Sequence, residues 1–177
     1  ENPEKNDFAI AEEVTLIADN TRRPDIVLYI NGIAIGVLEL KRSSTGLEDG
    51  IGQLCSNQRS TFNEWFFSTV QFCFAGNDAQ GLRYGTIGTE GKYYLQWKED
   101  VEDDSESKLD KYLSKMCDKR RCLELIKDFV LFDAGWKKLP RFHQYFGIKA
   151  AQERLKKREG GIIWHTQGSG KTALAYY

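Results

Sequence analysis

Residues 23–41 read Arg23-Pro24-Asp25-Ile26-Val27-Leu28-Tyr29-Ile30-Asn31-Gly32-Ile33-Ala34-Ile35-Gly36-Val37-Leu38-Glu39-Leu40-Lys41. Two apolar runs flank Asn31-Gly32, the strongest short signal for a β-hairpin. Each run is apolar on both faces, so the hairpin belongs inside a sheet covered on two sides, an α/β arrangement. Against that background Asp25, Glu39 and Lys41 stand out. Charges at the ends of buried strands are costly unless paired or metal-bound. Two carboxylates and a backbone carbonyl, that of Leu40, suit the hard-oxygen preference of Mg2+, which keeps several waters. Lys41 shares a strand face with Glu39, where its ammonium can orient a water or face developing negative charge.

The register decides whether these groups meet. A strict two-residue turn pairs Ile30 with Ile33 and leaves Asp25 and Glu39 on opposite faces. A three-residue loop with Gly32 in a bulge pairs Asp25 with Val37, and Glu39 becomes its diagonal neighbour at about 7–8 Å. The expectation is therefore a bulged turn, or an equivalent bulge elsewhere in the hairpin. Spacing alone fits equally a turn aspartate beside a surface Glu39/Lys41 pair.

Working outward, residues 8–16 alternate loosely as a strand, and 47–62 place Ile51, Leu54 and Cys55 at helical spacing. Further strands are expected over 65–74, 82–87 and 92–96. Residues 121–132 read as an amphipathic segment turning Leu123, Ile126, Val130 and Leu131 inward, and 143–158 as a helix.

The chain of 177 residues carries net charge −1, which conceals a split: −10 over residues 1–110 and +9 over 111–177. An acidic run from Lys98 to Ser107 reads as a solvated linker. The expected domains are thus 1–98, a linker over 99–116, and a second unit over 117–177. No apolar run approaches the roughly 18 residues that cross a bilayer. Cysteines 55, 73, 117 and 122 lack ligand spacing or disulfide density, which points to reduced thiols and a cytoplasmic protein. The opening Glu1-Asn2-Pro3 and the single Met116 are expected of a piece of a longer chain.

Near the C-terminus, Ile162-Ile163-Trp164 reads as a buried strand before His165-Thr166-Gln167-Gly168-Ser169-Gly170-Lys171-Thr172 and a helix start. Strand, glycine loop and helix make a phosphate site. The backbone N–H groups around Gly168, Ser169 and Gly170 approach the phosphates, Lys171 reaches the β/γ-phosphates of ATP, and the Thr172 hydroxyl suits Mg2+. No further ATPase motifs follow within the sequence, so hydrolysis of ATP is not expected of these residues by themselves. Lys137, Lys138 and Arg141, then Arg154, Lys156, Lys157 and Arg158, form a basic tract that suits DNA backbone contact or a solvated helix face. His143 and His165 lack metal-ligand spacing.

Pro24-Asp25, thirteen intervening residues and Glu39-Leu40-Lys41 resemble the PD-(D/E)xK nuclease motif. The longer stretch from Arg23 to Gly32, leading to Leu38-Glu39-Leu40-Lys41, is similar to the nuclease domain of type I restriction enzyme R subunits. The resemblance implies a mixed-sheet restriction-endonuclease-like core followed by the start of a RecA-like helicase lobe. It implies Asp25 and Glu39 as Mg2+ ligands, Lys41 as the catalytic lysine, and Gln53 as the glutamine of a following helix. Asn57 stands where that family's pattern has Tyr. Glu12 and Glu13 are weak stand-ins for an acidic residue that some relatives supply from a preceding helix. The loop with His165 in place of the first glycine resembles superfamily 2 motors, and Phe142-His143-Gln144-Tyr145 their adenine-reading element, with Gln144 on the adenine edge. The function so implied is Mg2+-dependent cleavage of double-stranded DNA, coupled in the full protein to ATP-driven translocation, beside methylation and specificity subunits. A repair helicase-nuclease and a non-catalytic DNA-binding domain attached to a motor are the alternatives.

Overall fold

In the computed structural model, which describes residues 2–99 and 107–175, the hairpin forms from β2 (Ile26–Ile30) and β3 (Ile33–Leu40). Asn31 and Gly32 both take positive φ, 52° and 76°, the type I′ turn whose twist matches the strands it joins. The turn is therefore the tight one, with Ile30 opposite Ile33. The bulge lies inside the ladder instead: Tyr29 faces Ala34 but Leu28 faces Gly36, leaving Ile35 as the extra residue. Beyond it Ile26 pairs with Leu38, and one further step along this register sets Asp25 across from Glu39. The expected bulge is present at a different place, because Asn-Gly already satisfies the two-residue turn.

The hairpin is central. β1 (Phe8–Glu12) pairs antiparallel on the outside of β2, and β4 (Phe72–Asn77) runs parallel to β3. β5 (Gly81–Gly85) and β6 (Leu95–Gln96) follow antiparallel, giving a mixed six-stranded sheet in the order β1-β2-β3-β4-β5-β6. The β3–β4 crossover carries α1 (Leu47–Asn57) and the short α2 (Glu64–Phe67). Trp65–Phe67 are thus helical, and the strand expected from residue 65 begins only at Phe72.

α1 covers one face of the sheet through Ile51 and Leu54 against Val37, Cys73 and Ala75. Another cluster joins Leu38, Phe74, Tyr84 and Trp97 to α3 (Lys108–Met116), α4 (Lys119–Asp128) and α5 (Phe142–Lys156). Part of the expected linker is therefore α3, whose Leu109 and Met116 are buried on this core; residues 100–106 of the acidic run lie outside the described residues. In α4 the buried side chains are Cys122 and Leu125, with Phe129 following, one position off the expected Leu123 and Ile126, which pack at the edge of the cluster. A two-stranded ribbon of β7 (Leu131–Asp133) and β8 (Trp136–Lys138) precedes α5. The strand expected at Ile162-Ile163-Trp164 is absent. Ile162 and Trp164 are 90% exposed, and no described strand offers this segment a ladder of hydrogen bonds. α6 (Lys171–Leu174) closes the described chain. No described helix is long and apolar enough to cross a membrane.

Candidate active site

β3 delivers Glu39 and Lys41 to the end of the sheet where its parallel partner β4 places Ala75 and Gly76. Lys41 N–H donates to the Gly76 carbonyl at 2.9 Å, extending the pairing past the strand's end. Asp25 enters from the first residue before β2, and its Oδ2 accepts the Leu40 N–H at 2.7 Å. That bond joins the two strands and leaves the other carboxylate oxygen of Asp25 uncommitted by it.

Glu39 is the unusual group. Its side chain has no exposed surface, yet neither carboxylate oxygen makes a hydrogen bond of good geometry; Asp25 and Lys41 are its only close polar neighbours among the described residues. The Lys41 ammonium stands 3.8 Å from Glu39 Oε2, an ion pair too long for a good hydrogen bond. Burial, and after it the adjacent Asp25 charge, push the Glu39 carboxyl up to about 7, against the opposing pull of Lys41. Its ionised form is therefore disfavoured below about pH 7, and a second cation beside Lys41 would favour it.

Lys41 is held by α1. Its Nζ donates to Gln53 Oε1 at 3.0 Å, which brings Gln53 of α1 to Lys41. Gly50, one turn earlier, lies against the Lys41 stem: a Cβ there would sit 3.3 Å from Lys41 Cγ. Sequence reasoning passed over Gly50, although a glycine in mid-helix facing the same way as Gln53 is a signal of close approach. Asn57 is fully buried with both amide atoms unpartnered. Glu13 turns instead to Arg23, at 3.4 Å, and Glu12 pairs with Ile26 at the sheet's rim.

Among the described residues no three His, Cys, Asp or Glu side chains cluster. The available donor set is therefore two carboxylates plus backbone, which fits Mg2+, a cation that binds through one or two carboxylates and keeps water elsewhere. The two orphaned Glu39 oxygens are the observation that the fit rests on.

The phosphate-loop residues gather elsewhere. Gly168 and Gly170 take φ of 76° and 81°, and Lys171 Nζ folds back onto the carbonyls of His165 and Thr166, both at 2.9 Å. Gln144 is buried at the start of α5. Its Nε2 donates to the Gly170 carbonyl at 3.0 Å and its Oε1 accepts the Arg141 N–H at 2.8 Å, so both ends of the amide hold backbone. His143 Nε2 lies 2.8 Å from the Ser169 carbonyl, a contact that sequence did not suggest. Thr172 follows Lys171 in the first turn of α6.

Comparison with known proteins gives two family matches: type I restriction enzyme R protein N terminus over residues 1–92, and SWI2/SNF2 ATPase over 143–177. A putative type I restriction enzyme endonuclease subunit of Methanocaldococcus jannaschii is 32% identical over 99% of this chain and 18% of its own length. The HindI endonuclease subunit of Haemophilus influenzae is 27% identical over 88% of this chain and 17% of its own. A type I endonuclease subunit of Staphylococcus aureus is 20% identical over 97% and 19%. The chain thus spans about a fifth of the length of the curated relatives it matches. The first of these matches holds the bulged hairpin, α1 and the Asp25–Glu39–Lys41–Gln53 cluster and covers more than half of the residues, so this chain belongs to the family of type I restriction enzyme R protein N termini.

Proposed function

We propose that the chain carries the nuclease centre of a type I restriction R subunit and cleaves DNA phosphodiesters with Mg2+. Asp25, Glu39 and the Leu40 carbonyl would hold the cation. Mg2+ supplies neutralisation of charge on a phosphoryl oxygen and acidifies water. Lys41 keeps its ammonium at the site through Gln53 and sets it against the negative charge that grows as the phosphorus gains a fifth oxygen. Double-stranded DNA is the substrate, and methylation and specificity subunits select the sequence in a cytoplasmic complex. The loop Gly168–Thr172 belongs to an ATP-binding motor element, with Lys171 and Thr172 toward phosphates and Mg2+ and Gln144 on the adenine side or bracing the loop at Gly170.

The observation that carries this reading is the Glu39 carboxylate, wholly buried with two unpartnered oxygens and flanked by Asp25 and Lys41. The test uses the full-length subunit in its complex. Lys41→Ala abolishes DNA cleavage while DNA-stimulated ATPase persists; undiminished cleavage overturns the assignment.

A further inference from the structure

At the other end of the sheet a groove opens that the nuclease site does not use. β5 runs antiparallel to β4 with Gly85 beside Cys73, so its end lies away from Ala75 and Gly76 and hence from Glu39 and Lys41. Beyond it, the ribbon β7–β8 folds over the segment 86–95. Two cavities of about 460 Å3 each flank the ribbon, with Gly88, Trp136 and Lys137 in the wall of both. Each falls in the range of roughly 300–1,000 Å3 typical of small-ligand sites.

Three features of the lining point to one chemistry. Trp136 and Tyr93 are 62% and 61% exposed, and Lys92 Nζ lies over one face of the Tyr93 ring, 4.8 Å from its centroid; Trp136 rests edgewise on Gly88, where a Cβ would lie 3.4 Å from its ring. Lys137 and Arg141 line the first cavity, and neither is in an ion pair with a carboxylate among the described residues, although Lys137 Nζ already donates to the Val70 carbonyl at 3.1 Å. Of the acidic side chains nearby, Glu90 is bound to Lys92 at 3.0 Å and Asp133 to Lys138, which leaves Glu64, lining the second cavity, uncompensated. Finally, Thr86 lines the first cavity, 99% buried, with its hydroxyl oxygen lacking any hydrogen-bond partner. A buried hydroxyl without a partner is costly, and a ligand edge would satisfy it.

We propose that this groove takes unpaired nucleotides of a DNA strand, a base stacked on Trp136, or on the face of Tyr93 away from Lys92, with its polar edge on the Thr86 hydroxyl, an adjacent phosphate on Arg141, and Lys137 joining it on release from Val70. Aromatic faces interleaved with cations are the means by which proteins hold single strands. In a duplex both faces of each base are already stacked, so only an unpaired base can use these rings. Two adjacent cavities walled by the same Trp136 and Lys137 suit neighbouring nucleotides of one strand better than a free mononucleotide. α1 links the two sites: Gln53 on it holds Lys41, and Gln58 at its C-terminal cap lines the second cavity and accepts the Gly88 N–H at 2.9 Å. The inference rests on DNA being the substrate, as proposed above.

The test is photo-cross-linking in the full-length complex without divalent metal, using a short single-stranded oligodeoxynucleotide carrying 5-iodouracil, which couples to stacked aromatics. Cross-links are expected on peptides containing Trp136 or Tyr93. Trp136→Ala should lower their yield at least about fivefold, the lower bound for one lost base–aromatic stack, and Tyr93→Ala likewise if the base lies on that ring. Unlabelled single strand should compete and duplex should not. Cross-links mapping only outside residues 85–95 and 131–141, equal competition by duplex, or undiminished yield in both variants overturns the groove. So does protection of 131–141 by the partner subunits without DNA. Because the readout needs no cleavage, failure here with Lys41-dependent cleavage intact rejects the groove alone.

Discussion

Glu39 is kept where its charged form is least stable. Its carboxyl is raised from 4.5 to about 7, chiefly by burial. Below pH 4.5 the group is protonated in folded and unfolded chains alike and costs nothing. Between 4.5 and 7 the unfolded chain releases the proton and the fold retains it, so stability falls as pH rises and the loss is complete above about 7. At about 1.36 kcal/mol per pH unit, a shift of this size corresponds to about 3 kcal/mol. Glu39→Gln should therefore raise the melting temperature of the metal-free protein by several degrees at pH 8 and leave it unchanged at pH 4, while abolishing cleavage. Added Mg2+ should narrow the gap at pH 8 by stabilising only the natural residue. Equal melting curves for the two proteins at pH 8 would contradict the account of Glu39 as a buried charge that Lys41 only partly offsets. The sequence showed this residue as an acid at the end of an apolar strand, which was enough to single it out. It could not show that both oxygens are orphaned, because that depends on Ala75 and on the distance to Lys41, which other elements set.

On the scale of elements, the bulge at Ile35 and the helix α1 assemble the site. The residue pattern made a bulge necessary, since strict pairing would have split Asp25 from Glu39, but could not locate it: Asn31-Gly32 accommodates both a tight turn and a longer loop. The tight turn leaves Gly32 at φ 76° with open space around it. Gly32→Ala should cost about 1–2 kcal/mol through backbone strain alone, read as a shift in the urea midpoint, with cleavage per folded molecule unaltered because the turn lies at the far end of the hairpin. Gly50→Ala should do the reverse. A helix interior gains about 1 kcal/mol from this change, yet the new methyl presses on the Lys41 stem at 3.3 Å. Cleavage should fall several-fold while the melting temperature holds or rises, and unchanged cleavage would show that Lys41 does not depend on α1 for its position.

For the whole molecule, the apolar strand faces announced a sheet covered on both sides, and the charge pattern suggested a break near residue 98 that the core does not respect. Composition reads solvation, and α3 and α4 are strongly charged on their outer faces; their few buried residues, Leu109, Met116, Cys122 and Leu125, are too sparse to outweigh that signal. Yet those side chains seal the face that carries Leu38, Phe74, Tyr84 and Trp97. Arg121 adds a tie, pairing with Glu99 at 2.6 Å, while Tyr84 donates its hydroxyl to the Pro140 carbonyl at 2.7 Å. The sheet and the helices up to α5 should consequently unfold as one unit. Leu125→Ala, on α4 and far in sequence from Asp25 and Glu39, removes a fully buried side chain and should destabilise that unit by about 2–5 kcal/mol. Followed in urea, the change in far-ultraviolet circular dichroism and the fluorescence change of buried Trp97 should move together to lower midpoint. If the sheet signal kept its midpoint while helix content alone was lost early, residues 108–156 would be a separate domain and the break near 98 would be real.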